Sequence, residues 1–197
     1  MIIYGITKLF GEKEYPNGHF SNLSNLETIH FPKFMADFSE ACFNNLPNLN
    51  GTLKIPSTTV GPLSFNGLGV DTVIIDGTFG FNAINYSGFS NCNNLKEVKF
   101  IGEDTAPLAS NTSFSRDSNF NRDGIVFYID AKNTPMLNWI NEYNNSETTT
   151  KENYIHYAYH NDLILTVSGD ETKKFKLQID STGRLTATAL FNVGEDN

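Results

Sequence analysis

The chain is short of cysteine, of basic residues and of long apolar runs, and each shortage excludes a class of protein. Two cysteines in 197 residues do not make the disulfide framework of a small secreted domain. Fourteen Lys and Arg against 22 Asp and Glu leave a net charge of −8, which argues against nucleic acid, because phosphate contacts need clustered basic side chains. Anionic membrane surfaces are disfavoured for the same reason. No apolar run approaches the roughly 18 residues of a spanning helix, so membrane insertion is not expected. Met1 to Phe10 lacks a basic region followed by an apolar stretch and a small-residue cleavage site, so no secretory route is expected to be encoded here. Either the chain is a piece of a larger exported protein or it reaches a surface another way, for instance by assembly into a virus particle.

Catalytic patterns are missing as well. Gly67-Leu68-Gly69 and Gly77 to Gly80 do not form a nucleophile elbow or a phosphate-binding loop, and serve as turn residues. His156 and His160 are four apart, a metal-ligand spacing on a helix. Their segment, Ile-His-Tyr-Ala-Tyr-His, suits a strand, where positions four apart lie about 13 Å from each other. Asp117, Asn119, Asn121 and Asp123 alternate like calcium ligands, but Arg122 stands where the turn needs glycine and Tyr128 where the bidentate glutamate belongs. The expectation is no enzyme, no cofactor and no metal.

What the chain has in quantity is phenylalanine, 16 in all. Five of them, Phe20, Phe43, Phe65, Phe89 and Phe114, recur at steps of 23, 22, 24 and 25 residues, the period of a solenoid. Each anchor is followed by further apolar positions: Leu23 and Leu26, Leu46 and Leu49, Leu68 and Val70, Cys92 and Leu95, while the fifth copy keeps only Phe120. A short alternating strand comes next, with inward pairs Ile29 and Phe31, Leu53 and Ile55, Val73 and Ile75, Val98 and Phe100, and Phe127 and Ile129. Pro32 and Pro56 end the first two strands. Five residues before the anchors stand Tyr15, Phe38, Val60 and Ile84, with Leu108 one residue further back. The residue just before the anchor is small in Cys42, Ser64, Gly88 and Ser113, and His19 breaks the rule.

One such coil is too thin to bury its apolar side, whereas stacked coils can. Their strands then pair in parallel at roughly 4.8 Å, with the phenylalanines in a continuous ladder. A fully buried phenylalanine contributes roughly 1.5 to 3 kcal/mol, so the ladder should dominate the core. A β-sandwich with evenly spaced strands is the competing fold; five in-phase copies favour the solenoid. Cys42 and Cys92 fall two coils apart, roughly twice 4.8 Å, beyond the limit of about 7 Å for a bridge. Both should be reduced core residues.

The pattern resembles the BspA-like leucine-rich repeats of bacterial surface proteins over residues 15–143. Ala106, Pro107 and Leu108 open the last copy, and Ile125 to Asp130 form a strand containing Phe127, Tyr128 and Ile129. A short helix with Trp139 and Tyr143 comes after it, and the whole is similar to the terminal coil with which the family closes its stack. Asp130 stands where the family usually has proline, and residues 109–124 are irregular. The helix has Asn133 or Thr134 as N-cap, Pro135 at its first position and an apolar stripe of Met136, Leu137 and Ile140. The resemblance implies a non-enzymatic module that recognises partners.

The predicted fold is mainly β: a leucine-rich-repeat solenoid over 1–143 with an N-terminal cap in 1–19 and a C-terminal capping helix, a polar linker over 144–153, and a small antiparallel β-domain over 154–197. Tyr154 to Tyr159, Leu163 to Ser168, Phe175 to Ile179 and Leu185 to Phe191 alternate at period two. Asp180 to Gly183 fit a type I hairpin loop, and the hairpin resembles those of phage fibre-like structural proteins. Too small for an independent core, this tail should pack on the solenoid or on other copies of itself, giving a possible homo-oligomer.

The outward strand positions, Thr28, His30, Thr52, Lys54, Thr72, Ile74, Glu97, Lys99, Val126 and Tyr128, form a ladder of the kind solenoids use to hold partners. A merely solvated sheet face would show the same Thr/Lys/Glu mixture. The expected function is recognition or adhesion, binding a protein or glycan on a cell or virion surface. The alternative is a structural component of a virus particle assembled through the tail.

Overall fold

The computed structural model describes residues 8–9, 18, 20–31, 35–77, 83–102, 113–119, 121–146, 149–150, 153–160, 163–168, 170–179 and 184–190. Tyr15, His19, Pro32, Leu108 and Phe120 lie outside them.

Each coil begins at its phenylalanine, and the ladder expected from the spacing is present. Successive anchor rings from Phe20 to Phe114 stack 4.9, 5.5, 5.0 and 4.8 Å apart, all within 10° of parallel. What holds the rings in phase is a pair of left-handed residues flanking them. Two before the anchor stand Gly18, Ala41, Leu63 and Ser87, and two after it Asn22, Asn45, Gly67 and Asn91, all at φ between 51° and 72°. Glycine and asparagine tolerate this region best, which accounts for the recurrent Phe-x-Asn/Gly. The two bends aim successive N–H groups at the next coil: Ala41 N to Pro62 O, Phe43 N to Ser64 O and Asn45 N to Asn66 O, at 2.7 to 2.9 Å. In the fifth coil the left-handed residue is Phe114 itself, at φ 56°.

The small residue before each anchor also has a physical cause. A Cβ on Gly88 would lie 2.8 Å from Ile84 Cγ2. Ser64 Oγ donates to Gly61 O (2.9 Å) and Ser113 Oγ to Asn85 O (3.0 Å), so these polar side chains are satisfied while fully buried.

After the anchor turn comes the main sheet. Strands β3 (Thr52–Ile55), β5 (Thr72–Asp76), β7 (Glu97–Ile101) and β8 (Val126–Ile129) pair in parallel. Register is as read: Leu53 and Ile55 sit beside Val73 and Ile75, Val73 and Ile75 beside Val98 and Phe100, and Val98 beside Phe127. The fifth coil is therefore in phase despite its irregular approach. The first is not a strand: Ile29 is buried, but residues 28–31 carry only an isolated bridge at His30.

The apolar positions five before the anchors belong to a second parallel sheet, not expected from sequence. β1 (Lys8–Leu9), β2 (Met35–Phe38), β4 (Ser57–Val60) and β6 (Ala83–Ile84) form it in that order. Leu9, Phe38, Val60 and Ile84 align in register, and the last three are almost completely buried. Pro56 marks the corner between β3 and β4, as a residue without an N–H suits. The expected N-terminal cap contributes β1 to the open edge of this sheet.

Helix α1 (Thr134–Asn144) closes the stack with Met136 and Ile140 buried, and Asn133 caps it by accepting from Met136 N at 3.1 Å. Pro135 is its second residue rather than its first. Arg122, fully buried, ties the fifth coil to this helix and to the segment beyond it: it donates to Ser113 O (2.9 Å), Tyr143 Oη (3.2 Å) and Asn153 O (3.2 Å).

Two expectations about 144–159 need correction. The expected linker 144–153 is tied down at described residues within it, because Thr149 Oγ1 donates to Tyr143 O (2.8 Å) and Asn144 exchanges two hydrogen bonds with Ile155, each 2.9 Å. Residues 154–159 do not open a separate domain. β9 (His156–Tyr159) pairs in parallel with β8 and becomes the fifth strand of the main sheet. Alternation alone does not choose a partner, and the open edge of β8 supplies one. Only β10 (Leu163–Val167), β11 (Asp170–Ile179) and β12 (Leu185–Ala189) form the antiparallel sheet. That sheet docks on the solenoid, as one of the two expected arrangements has it: Leu190 and Ile164 pack with Val126, Ala158 and Tyr128, and Lys174 Nζ donates to Gly124 O at 3.3 Å.

Phe65→Ala should cost about 3 to 5 kcal/mol in a denaturant titration, and Phe65→Leu less than half of that; equal losses would deny the stacked ring a special part. A second outcome concerns His156, whose burial pulls its pKa down from 6.5 to about 4. The unfolded chain then binds the proton first, so this contribution is complete above pH 6.5 and is lost as pH falls toward 4. The loss is on the order of 2 to 3 kcal/mol. His156→Gln should flatten that part of the stability curve, and an unaltered slope would assign the acid sensitivity elsewhere.

Candidate functional site

Because side chains alternate along a strand, the main sheet presents two outward rows. Thr52, Thr72, Glu97, Val126 and His156 are neighbours in one, and Lys54, Ile74, Lys99, Tyr128 and Ala158 in the other. Eight of the ten residues proposed from sequence are thus brought together on one surface. Thr28 and His30 extend it beyond β3 as exposed residues of the first coil. With Thr52 and the adjoining backbone of Asn50 and Gly51 they border a shallow cavity of about 270 Å³.

Exposure divides the ladder. Thr28, His30, Thr52 and Lys54 are exposed, and Thr72, Ile74, Glu97, Lys99 and Tyr128 are partly so. Val126 faces outward as read from its register, yet it is fully buried beneath the tail with Ala158 and Leu190. It is therefore no part of the accessible face. The tail also approaches Glu97 and Thr72, since Thr166 and Lys174 join them, Asp71 and Lys96 around a second cavity of about 280 Å³. Sequence reasoning had no signal for this cover, which depends on where β10 to β12 fold back.

Charge on the open part is internally compensated. Lys54 Nζ lies 2.7 Å from Asp76 Oδ2, and Lys99 Nζ 2.7 Å from Glu97 Oε2. Lys99 also stands over the Tyr128 ring at 5.4 Å, a cation–π contact. Burial, and then the neighbouring Glu97, push the Tyr128 hydroxyl up to about 12, so it stays protonated. The surface is open, rigid and close to neutral, with Ile74 and Tyr128 as its apolar and aromatic points.

Chemistry finds little elsewhere. His156 Cα pairs with Val126 on the outward row, while His160 turns its Nε2 to Phe100 O at 2.7 Å; their spacing does not gather them. Asp117 Oδ1 accepts from Asn119 N (2.9 Å) and Asn121 N (3.2 Å), and Asn121 Oδ1 accepts from Asp123 N (2.7 Å). These side chains close their own loop, as Asp and Asn do in turns. Among the described residues, no three His, Cys, Asp or Glu are placed to hold a metal ion. Cys42 and Cys92 are buried thiols outside any disulfide, and burial pushes the Cys92 thiol up to about 12, outside the reactive range. Among the described residues no helix is long and apolar enough to cross a membrane.

Among known families, a model described as BspA type leucine-rich repeat region matches residues 13–122 in six copies, one more than the phenylalanine anchors number. No curated protein and no solved structure matches the chain, and nothing supports the likeness of its hairpin to phage fibre proteins. Repeats of this type serve protein binding or adhesion, and their family is typically non-enzymatic and found on surfaces. With anchors, ladder and parallel sheet in place over a match of more than half its length, the chain belongs to the BspA-type leucine-rich repeat family.

Proposed function

We propose that the chain is a recognition module which binds a protein partner through the N-terminal half of its outward strand face, displayed on a cell or particle surface. The observation that carries this reading is the in-register ladder from Thr52 to Lys99, extended by exposed Thr28 and His30 of the first coil, which remains open while its C-terminal end is covered. Protein is favoured over glycan because the open part sets paired charges beside an aliphatic residue, Ile74, a mixture suited to a protein surface. Display outside the cell is the setting that the family's usual location suggests. A purely structural part in a virus particle would rest on the tail alone and finds no support in the solenoid.

The test is a pair of substitutions on exposed positions of the face, His30→Asp with Thr52→Arg. Surface changes of this kind leave stability within about 0.5 kcal/mol, so the melting curve should hardly move. Proteins retained by the immobilised wild-type chain should bind the double variant at least about tenfold more weakly, a loss of about 1.4 kcal/mol. Equal retention by both chains would remove this face from the function. Retention abolished by free glycan rather than free protein would reassign the ligand class.

A further inference from the structure

The tail sheet has two faces of opposite character, and the face turned toward the solenoid is the polar one. Register places Ile164, Lys176 and Thr188 side by side, with Thr166 beside Lys174 on the same side. It is this side that meets the solenoid: Lys174 reaches Gly124 O, Lys176 stands 5.6 Å from the Tyr157 and Tyr159 rings, and Ile164 and Leu190 pack on Val126. By alternation the other side carries the row Leu165, Phe175 and Ala189 and the row that pairs Leu177 with Ala187. The outer strands of that apolar side face solvent, and Phe175 and Leu177 on its central strand are half-buried. Leu185 is 63% exposed, Leu165 47% and Val167 40%, three of the six large exposed hydrophobic side chains among the described residues. Antiparallel sheets ordinarily do the reverse, burying the apolar face and wetting the polar one.

We propose that this apolar face packs against the same face of a second copy, so that two three-stranded sheets close into a six-stranded sandwich related by a two-fold axis. Three properties of the face fit a second copy. Its central rows carry no charge, and charge appears only at the hairpin end, where Lys173 pairs with Asp170 at 3.4 Å; an apolar centre with a charged rim is the anatomy of an interface. The segment 163–190 holds three acidic residues, Asp170, Glu171 and Asp180, and four basic ones, Lys173, Lys174, Lys176 and Arg184. The sheet segment therefore does not share the chain's net charge of −8, and two such sheets can meet without the repulsion that two solenoids would suffer. Bulky Leu165 on β10 lies across Phe175 from small Ala189 on β12, so the sheet has one high and one low edge, a relief that a two-fold axis can interdigitate.

Size sets the strength. Three strands of about five residues span roughly 14 by 17 Å, about 240 Å² of plan area per face, so the contact is smaller than the roughly 1,200 Å² at which stable specific interfaces begin. The dimer is therefore concentration-dependent, with the solenoids on its outer sides and their strand faces turned toward the seam, because each tail sheet sits between its own strand face and the two-fold axis.

Sedimentation velocity of the full chain tests this over about 5 to about 200 μM, where a contact of that size should titrate. The expected result is a mass rising from the 22.0 kDa monomer toward twice that value. Leu165→Lys with Leu185→Asp, both already wet in the monomer, should raise the dissociation constant more than about tenfold, while Thr28→Lys at the far end of the solenoid leaves it unchanged. Leu185→Gln alone supplies a milder variant should the double change disturb folding. A wild-type chain that stays at 22.0 kDa throughout, or a dimer indifferent to both tail variants, overturns the proposal.

Discussion

Everything in the solenoid depends on returning one phenylalanine ring to the same point on the axis in every coil. Parallel strands fix the rise per coil at about 4.8 Å, and the rings stack at nearly the same interval. The match between these distances lets one structure satisfy both backbone hydrogen bonding and ring packing. Stacked rings gain roughly 0.5 to 1.5 kcal/mol beyond the area they bury, and each ring shares that gain only with its two neighbours. Stability is therefore a nearest-neighbour property. The ends, where a neighbour is missing, need covers: β1 on one side, α1 and β9 on the other.

Where physical causes were local, the sequence disclosed them. Phe20 to Phe114 announced the period, Leu53 and Ile55 through Val98 and Phe100 the inward parity, and Asn133 the start of the helix. The recurring Asn22, Asn45, Gly67 and Asn91 carried the left-handed turn in plain view, since few other residues accept that backbone region. Where causes were non-local, it was silent. β1 and β6 have two residues each, too few for any period to register, so the second sheet was visible only as lone apolar positions. β9 alternates equally well as the edge of a domain or of a solenoid. Arg122 looked like a flaw in a calcium loop, and its buried bonds to Ser113, Tyr143 and Asn153 are contacts up to 31 residues distant.

The candidate face was legible in its direction but not in its extent. Alternation along each strand decides which side chains point outward, and Thr52 through Tyr128 obey it. What covers them is decided by docking of a sheet whose apolar residues point the wrong way for a reader who expects hydrophobic surface inside. Lys174, at 8% exposure, is the residue that inverts the expectation: its long aliphatic stem packs while its ammonium reaches a backbone carbonyl, as lysine stems commonly do.

The flanking turns leave the coils free to differ in length. Steps of 22 to 25 residues separate the anchors, yet the rings remain within 10° of parallel, so surplus residues are absorbed on either side of the main strand, while the approach from the second sheet to the next anchor keeps its length. A gene encoding such a chain can gain or lose a whole coil with both end covers intact. The outward surface would then lengthen in quanta of about 4.8 Å, each adding two new side chains to the rows, a ruler whose reach can be changed by duplication without redesigning its ends.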